Sequence, residues 1–207
     1  MDIDLHQDFS DNSDNMSIKY LAEKTIKENY QGRVSVGHLT ALGALRKEEL
    51  EPIIKLMAEA KINVFTLTAT DLHLGGRNDD GNIRRALTPV RELRRGGVNV
   101  CISTNNIRNA FTPYGNGDLI LTAMLAVAGS HLGGADDLPT VLPMITTYPA
   151  KALGLKDYGI GIGKRADLVL LDTNKVANAI IDLPERLYVI KNGKIIVKTT
   201  KKVELLK

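Results

Sequence analysis

Strand-like and helix-like patterns of hydrophobic residues alternate along most of the chain. Strand patterns cover residues 2–6, 33–38, 62–67 and 98–102. Helical spacing covers residues 17–29, 47–60 and 118–131, with at least one further helix within 138–155. A shorter helix is predicted to end near Arg95, with Thr88 as its cap and Pro89 as its first residue. Strand–helix units that recur about every 30 residues are typical of a parallel α/β sheet.

Polar residues stand where each predicted strand ends. His6, His38 and His73 end the first three strands, and Asn105 with Asn106 follows the fourth. The carboxyl ends of parallel barrel strands meet at one face, where active sites are built. Histidines that converge from several strands are also how metal hydrolases gather ligands far apart in sequence. The sequence therefore predicts a site at the carboxyl ends of these strands.

Each of these features also has a simpler interpretation. A single histidine at a strand end is unremarkable, and Asn105 with Asn106 could cap a strand-to-loop turn. Cys101, inside an apolar strand, is predicted to be a core residue. His131 is predicted to lie at the end of a helix and interact with its dipole. The glycines of 159–163 are predicted to form a turn that joins two domains, since no phosphate-binding motif follows them.

The pattern changes after Tyr158. An all-apolar strand is predicted at Leu168 to Leu171, and Asn192-Gly193 between two β-branched runs predicts a hairpin. We therefore predict two domains, a partial barrel over residues 1–157 and a small β domain over 158–207. The second domain is too short for a sandwich of its own, so we expect it to pack on the barrel or to complete a sheet with other strands.

Composition narrows the class of protein. The chain has 207 residues, of which 43% are hydrophobic and 4% aromatic with no Trp, so one sizeable aliphatic core is expected. A net charge of +3 with dispersed Lys and Arg argues against a nucleic-acid partner. The single cysteine excludes an internal disulfide and suits a cytoplasmic location. Without a long apolar run or a leader pattern, we expect neither a membrane span nor a signal peptide.

Five motifs resemble one enzyme family. They are DIDLHQD, VSVGHLTAL, DLHLGGR, GGVNVCISTNNIRNAFTPYGNGD and ITTYPAKALGLKDYGIGIGKRADLVLLD, and they occur in the family's order. The chain resembles the C-terminal half of the amidohydrolase superfamily, in its branch of cytosine deaminases and N-isopropylammelide amidohydrolases. The resemblance implies an α/β fold, the second half of a (β/α)8 barrel with strands five to eight, plus part of a small β domain.

The resemblance also implies roles for individual residues. His6 corresponds to a metal ligand on the fifth barrel strand, and His38 to the histidine that holds the attacking hydroxide or the substrate. Asn105 stands at the position of the eighth-strand aspartate, which binds metal and transfers a proton. The implied cofactor is a divalent metal, zinc or iron, which lowers the pKa of bound water. The resulting hydroxide would attack a ring carbon and release ammonia or an alkylamine.

By the same resemblance, three further residues would bind the substrate. His73 and Arg77 correspond to the loop of the seventh strand that lines the pocket, and Asn106 adjoins the eighth-strand position. The substrate would be a small heterocyclic amine.

The sequence departs from the family's pattern at three places. The His-X-His pair of the first barrel strand has no counterpart in these 207 residues. Asn105 is neutral, so it is a weaker ligand than Asp and cannot be a general base. Asn109, too, stands where relatives often have Asp. Phe9 occupies the place where cytosine deaminases have a glutamate, and Asp8 beside it is expected to point elsewhere, so cytosine itself is disfavoured.

Two functions from different classes follow. The first is a metal-dependent hydrolase of a C–N bond in an aminated nitrogen heterocycle, expected to be inactive as this chain alone. The second is a non-catalytic relic, or a structural partner of an N-terminal half-barrel. Half a barrel leaves its outer strands as bare edges. We therefore expect a homo-oligomer or a complex with an N-terminal half.

Overall fold

Four parallel strands form the main sheet of the computed structural model, which describes residues 2–206. They are β1 (Ile3–Gln7), β2 (Val34–His38), β3 (Asn63–Thr66) and β4 (Asn99–Ile102). Their order in the sheet is the order in the chain, and every neighbouring pair is parallel. All four lie within one residue or so of the predicted positions. The α/β class predicted from the sequence is therefore confirmed.

Helices lie between the strands of the main sheet and after its last strand. They are α1 (Ile18–Lys27), α2 (Lys47–Glu59), α3 (Thr68–Leu74), α4 (Val90–Arg95), α5 (Leu119–Gly129), α6 (Val141–Met144), α7 (Thr147–Ala152) and α8 (Val176–Ile181). Short 3-10 segments lie at Thr40–Ala44 and Leu138–Thr140. In residues 2–206 no helix is long and apolar enough to cross a membrane.

Two local predictions were wrong. The third strand ends at Thr66, and His73 lies in α3 instead of at a strand end. Thr88 does not cap α4 with its side chain, because its hydroxyl donates to the carbonyl of His38 at 2.5 Å. Pro89 takes the cap position and α4 begins at Val90.

Aliphatic side chains fill the space between the sheet and the helices. The fully buried ones come from every layer and include Ile18, Val36, Leu42, Met57, Ile62, Leu93, Leu132, Met144 and Ile180. Cys101 on β4 is also fully buried, as predicted. Burial in this apolar environment is expected to make the largest contribution to stability.

A second, antiparallel sheet lies near the C-terminus. It consists of β5 (Leu168–Leu171), β6 (Arg186–Lys191) and β7 (Lys194–Lys198), in that order. The β6–β7 turn is the predicted Asn192-Gly193 pair, and both residues have the positive φ that a tight hairpin turn requires. This part of the chain contacts the rest through Ile180 of α8, a member of the main core. The division at residue 157 stays a prediction.

Apolar side chains are exposed on the second sheet. They lie on β5 and on the edge strand β7 and comprise Val169, Leu170, Ile195, Ile196 and Val197. The outer strand of the main sheet, β1, is also poorly covered, with Ile3 38% exposed. Exposed edges and apolar faces of this kind are typical of surfaces that pair with other strands.

The environment of Cys101 predicts an unreactive thiol. Burial raises its pKa to about 12, so at pH 8 the group is protonated as well as inaccessible. We expect no reaction with a thiol reagent such as dithionitrobenzoate in the native protein, and one thiol per chain in guanidinium chloride, since the sequence has one cysteine. Rapid stoichiometric labelling of the native protein would contradict the packing of β4.

Candidate functional site

His6 and His38 meet at the carboxyl ends of β1 and β2. The strands are in parallel register, with His6 opposite Gly37, so the two rings project from the same end of the sheet. His6 Nδ1 lies 3.2 Å from His38 Nε2, and the rings pack edge to face with centroids 5.1 Å apart. Asn105, in the loop after β4, brings its Nδ2 to 3.5 Å from the same His38 nitrogen. The structure thus brings together three of the predicted site residues.

Asp71 is a fourth member of this group, and its role was not predicted from the sequence. Its Oδ1 lies 2.7 Å from His38 Nδ1, and its side chain is fully buried in α3. Burial raises the pKa of this carboxyl, and the contact with His38 opposes the rise. Its other oxygen, Oδ2, is buried without a hydrogen-bond partner among residues 2–206. The one signal in the sequence was an acidic residue within an otherwise uncharged stretch, residues 62–72.

An unusual backbone conformation orients these side chains. His38 and Leu39 are consecutive residues with left-handed φ values of 72° and 60°, and Asn105 has a φ of 58°. Such conformations are rare for residues other than glycine and are held only where the surroundings fix them. Here the Thr88 hydroxyl binds the His38 carbonyl, and the Leu39 amide donates to Gln7 at 3.3 Å. The fold therefore holds His38 in place from both sides of its own peptide.

Gly37 leaves room for the His6 ring. A Cβ atom at this position would lie 3.3 Å from Cε1 and Nδ1 of His6 and 3.1 Å from Leu67. These distances are tighter than ordinary contacts, so a side chain would displace the imidazole. The glycine therefore allows the close contact between the two histidines.

Phe9 packs beside the histidines. Its ring centroid lies 5.0 Å from that of His38, and the side chain remains 42% exposed. The carboxylate of Asp8 is occupied elsewhere, since it accepts hydrogen bonds from the amides of Ser17 and Ile18 at the start of α1. The residues that follow β1 therefore present an aromatic face and no carboxylate to His38.

His73 and Arg77 form a separate pair. Arg77 Nη2 donates to His73 Nε2 at 3.0 Å, and the His73 ring packs edge to face with Tyr114 at 5.4 Å. The Tyr114 hydroxyl donates to the Ala69 carbonyl and ties this pair to α3. Among the described residues, neither His73 nor Arg77 forms a hydrogen bond with the His6–His38 group.

Asn106 belongs to the loop that follows β4. Its Oδ1 accepts from Asn109 Nδ2 at 2.7 Å, and the Asn109 oxygen in turn accepts from the amides of Phe111 and Thr112. This is the turn-capping behaviour that Asn side chains commonly show. Asn106 also lines a cavity of about 210 Å³ together with Tyr114.

The described residues do not form a metal site by themselves. No three His, Cys, Asp or Glu side chains in residues 2–206 are grouped so that they could hold a metal ion. A catalytic ion commonly has three protein ligands, whereas this group offers the two imidazoles of His6 and His38 and the neutral amide of Asn105. Further ligands would have to come from outside these residues.

The close packing of His6 and Leu67 around Gly37 can be tested by substitution. We expect Gly37→Ala to push the His6 ring away from His38 and to lower the free energy of unfolding by about 1–3 kcal/mol, as overpacking does. Urea unfolding measures the stability, and histidine NMR shifts report the ring contact. Gly133→Ala is the matched control, because a Cβ there meets nothing within 4 Å. Equal effects of the two substitutions would contradict this packing.

Asp71 generates a prediction about pH. Because its pKa is raised in the folded protein, the folded state binds this proton more tightly than the unfolded state. Its contribution to stability is therefore present at low pH and is lost as the pH rises above the ordinary value of 3.8. We expect the stability of the wild type relative to Asp71→Asn to decrease as the pH increases from 4 to 7, measured by urea unfolding.

Asp79 provides a control of opposite sign. Hydrogen bonds from Arg84 lower the pKa of this carboxyl to about 2. Its stabilising contribution is therefore present above 3.8 and is lost as the pH falls toward 2. The stability of the wild type relative to Asp79→Asn should be constant between pH 4 and 7. A constant difference for Asp71→Asn over the same range would reject the assignment of a raised pKa.

Comparison with known proteins places this geometry in a family. The amidohydrolase family profile matches residues 1–197. N-isopropylammelide isopropyl amidohydrolase of Pseudomonas sp. (strain ADP) is 36% identical over 183 residues, 88% of this chain and 42% of the relative. Pterin deaminase of Rhizobium rhizogenes is 30% identical over 95% of this chain and 45% of the relative.

The fold comparison agrees. The crystal structure of 5-methylcytosine deaminase from Klebsiella pneumoniae, liganded with phosphonocytosine, superposes with a TM-score of 0.95 at 29% identity. It covers 99% of this chain, which corresponds to 50% of the deaminase. The chain thus spans about half the length of the relatives it matches. On these matches, and with the parallel sheet that carries His6 and His38, the chain belongs to the amidohydrolase family.

Proposed function

We propose that this chain supplies one half of the active site of a metal-dependent amidohydrolase that cleaves a C–N bond in an aminated nitrogen heterocycle. The observation that carries the proposal is the hydrogen-bonded series His6–His38–Asp71, in which both histidines stand near the carboxyl ends of parallel strands and Asp71 lies in α3. Support also comes from the relatives, whose names specify N-isopropylammelide, pterin and 5-methylcytosine as substrates.

His38 has the chemistry needed for proton transfer. In such a hydrolysis, water adds to the ring carbon, the C–N bond breaks, and the amine leaves with a proton. A neutral imidazole whose Nδ1 donates to a carboxylate has its lone pair on Nε2, here 3.2 Å from His6 Nδ1. This nitrogen can accept a proton from the attacking water when that water takes the place of the His6 contact. Asn105, which is near Nε2, can donate a hydrogen bond to the substrate or to water but cannot take up the proton.

Four side chains are proposed to bind the substrate: Phe9, His73, Arg77 and Asn106. Phe9 offers a half-exposed aromatic surface beside His38, on which a planar heterocycle can stack. We propose that His73 and Arg77 contact polar atoms of the ring, since Arg77 presents an exposed guanidinium. Asn106 is the fourth proposed substrate contact. Its amide is held by Asn109, which would fix its orientation toward a ligand.

In this proposal the metal also needs ligands from outside residues 2–206, which provide no group of three metal-binding side chains. His6 is the proposed ligand for a divalent zinc or iron ion. His6 lies on β1, which has a free edge in the described sheet. A strand added parallel to β1 would run about 4.8 Å away, so its carboxyl end would come close to His6. A second copy or a separately encoded half-barrel could supply such a strand.

The proposed location is the cytoplasm. The single cysteine is a free, buried thiol, so the fold does not depend on a disulfide and suits a reducing compartment.

A non-catalytic protein is the second candidate function. The observation that favours it is the composition of the site, where residues 2–206 provide no group of three metal-binding side chains. Asn105 adds only a neutral amide at the position where the resemblance implies a carboxylate. In that case the chain would keep the fold and serve as a structural partner.

Metal content and mass distinguish the two candidates. If the chain completes a hydrolase site, the protein purified in its assembled form should be an oligomer or complex that holds about one zinc or iron ion per chain. Elemental analysis coupled to light scattering measures both. His6→Asn should lose the metal, whereas His131→Asn should retain it, because His131 is exposed beyond α5. A metal-free oligomer would support the structural role and reject the hydrolase.

Turnover completes this test. The assembled protein is incubated with 5-methylcytosine, pterin or N-isopropylammelide, and the release of ammonia or isopropylamine is measured. We expect His38→Asn to reduce the rate by about 100-fold or more, the usual contribution of a general base. His131→Asn is again the matched control. Equal rates for His38→Asn and the wild type would contradict the role of His38.

A further inference from the structure

Asp71 and His6 contact opposite nitrogens of the same imidazole. Asp71 Oδ1 lies 2.7 Å from Nδ1 of His38, and Nδ1 of His6 lies 3.2 Å from Nε2 of His38. The three side chains come from α3, β2 and β1, so they form a series that crosses the sheet from a fully buried carboxylate to an exposed strand. In such a series, the nitrogen that carries the proton in one ring determines which nitrogen carries it in the next ring.

We propose that Asp71 is a positioning residue that fixes the tautomers of both histidines, with the proton of each ring on Nδ1 and the Nε2 lone pair of His6 left free. The reason is the inventory of donors and acceptors. An ionised carboxylate only accepts, so His38 Nδ1 must carry its proton and His38 Nε2 must accept. His6 Nδ1 faces that acceptor and therefore carries a proton in its turn. This leaves His6 Nε2 as the atom that can bind a metal ion or accept a proton.

Asn105 is consistent with this pattern and not with its reverse. Its Nδ2 is a donor and lies 3.5 Å from His38 Nε2, where an acceptor is required. If Asp71 instead donated to Nδ1, His38 Nε2 would carry the proton and two donors would face each other. That arrangement would need the Asn105 amide to be rotated by half a turn.

The unmatched oxygen of Asp71 argues for a functional role. Oδ2 has no hydrogen-bond partner in the part of the chain that the structure describes, although the side chain is fully buried. A buried carboxylate kept only for stability would be expected to have both oxygens satisfied. Neutral residues of similar shape would fill the space without this penalty. The inference deepens the proposed function, since it specifies how that site holds its protons.

Long-range ¹H–¹⁵N correlation NMR of the full-length protein at pH 8.5 tests the proposal, because it separates the two neutral tautomers of each histidine. The chain has four histidines, and single His→Asn variants assign their signals. We expect Nδ1–H forms for His6 and His38 in the wild type. In Asp71→Leu, His38 should lose the Nδ1–H form as its main species and His6 should change with it. Asp71→Asn should restore the wild-type pattern, because its Oδ1 still accepts from Nδ1–H.

His73 serves as an internal control. Its Nε2 accepts from Arg77, which has no acceptor atom, so it should be Nδ1–H in every variant. A wild-type His38 with its proton on Nε2 would overturn the proposal, even if Asp71→Leu does not fold. Unchanged tautomers in a folded Asp71→Leu would overturn it too. If the histidines show the predicted tautomers but the assembled protein has no hydrolase activity, only the proposed function is rejected. If the protein is active but the tautomers differ from the prediction, only the role of Asp71 is rejected.

Discussion

The hydrogen bond between His38 and Asp71 is the interaction on which the site depends. It joins the end of β2 to α3 across 33 residues of sequence and lies almost completely out of solvent. A carboxylate in such surroundings is retained only when a strong partner compensates for lost hydration, and here one oxygen has none among the described residues. The imidazole is therefore held at one nitrogen by a group that cannot move to the surface. Its other nitrogen is thus fixed toward His6 and Asn105.

Backbone geometry supports the same arrangement independently of the side chains. Two successive left-handed residues, His38 and Leu39, turn the chain sharply at the end of β2. The Thr88 hydroxyl stabilises this turn by donating a hydrogen bond to the His38 carbonyl, so Thr88 contacts the site instead of capping α4. Asn105 lies in the same frame with a left-handed φ of 58°, and its amide adds no charge to the site.

Much of the fold could be predicted because hydrophobic spacing determines it. The four parallel strands, α2 and the Asn192-Gly193 hairpin all follow from local patterns that the structure confirms. The predicted proximity of His6 and His38 needed only the rule that parallel strand ends meet. Helix α3 was missed because its first turn is rich in threonine, which disfavours helix, and burial overrides that preference.

Asp71 was missed for a related reason. Its role is a side-chain contact with a residue of the preceding βα unit, and no local pattern specifies such a contact. The prediction that residues 71–73 end a strand also placed His73 in the active site. In the structure these residues belong to α3, and the His73 ring packs against Tyr114. The same limit applies to Thr88, whose sequence context suggests a helix cap. Long-range hydrogen bonds of single side chains are where sequence patterns carry the least information.

The distribution of burial links association to the site. His6 lies on β1, the least covered strand of the main sheet, while Asp71 at the other end of the series is fully buried. Any polypeptide that pairs with the edge of β1 would order the strand that carries His6. Because coupling between two binding events is reciprocal, a metal ion bound at His6 would strengthen that pairing by the same factor. The effect of the metal on assembly and the effect of assembly on metal affinity would then measure the same coupling free energy.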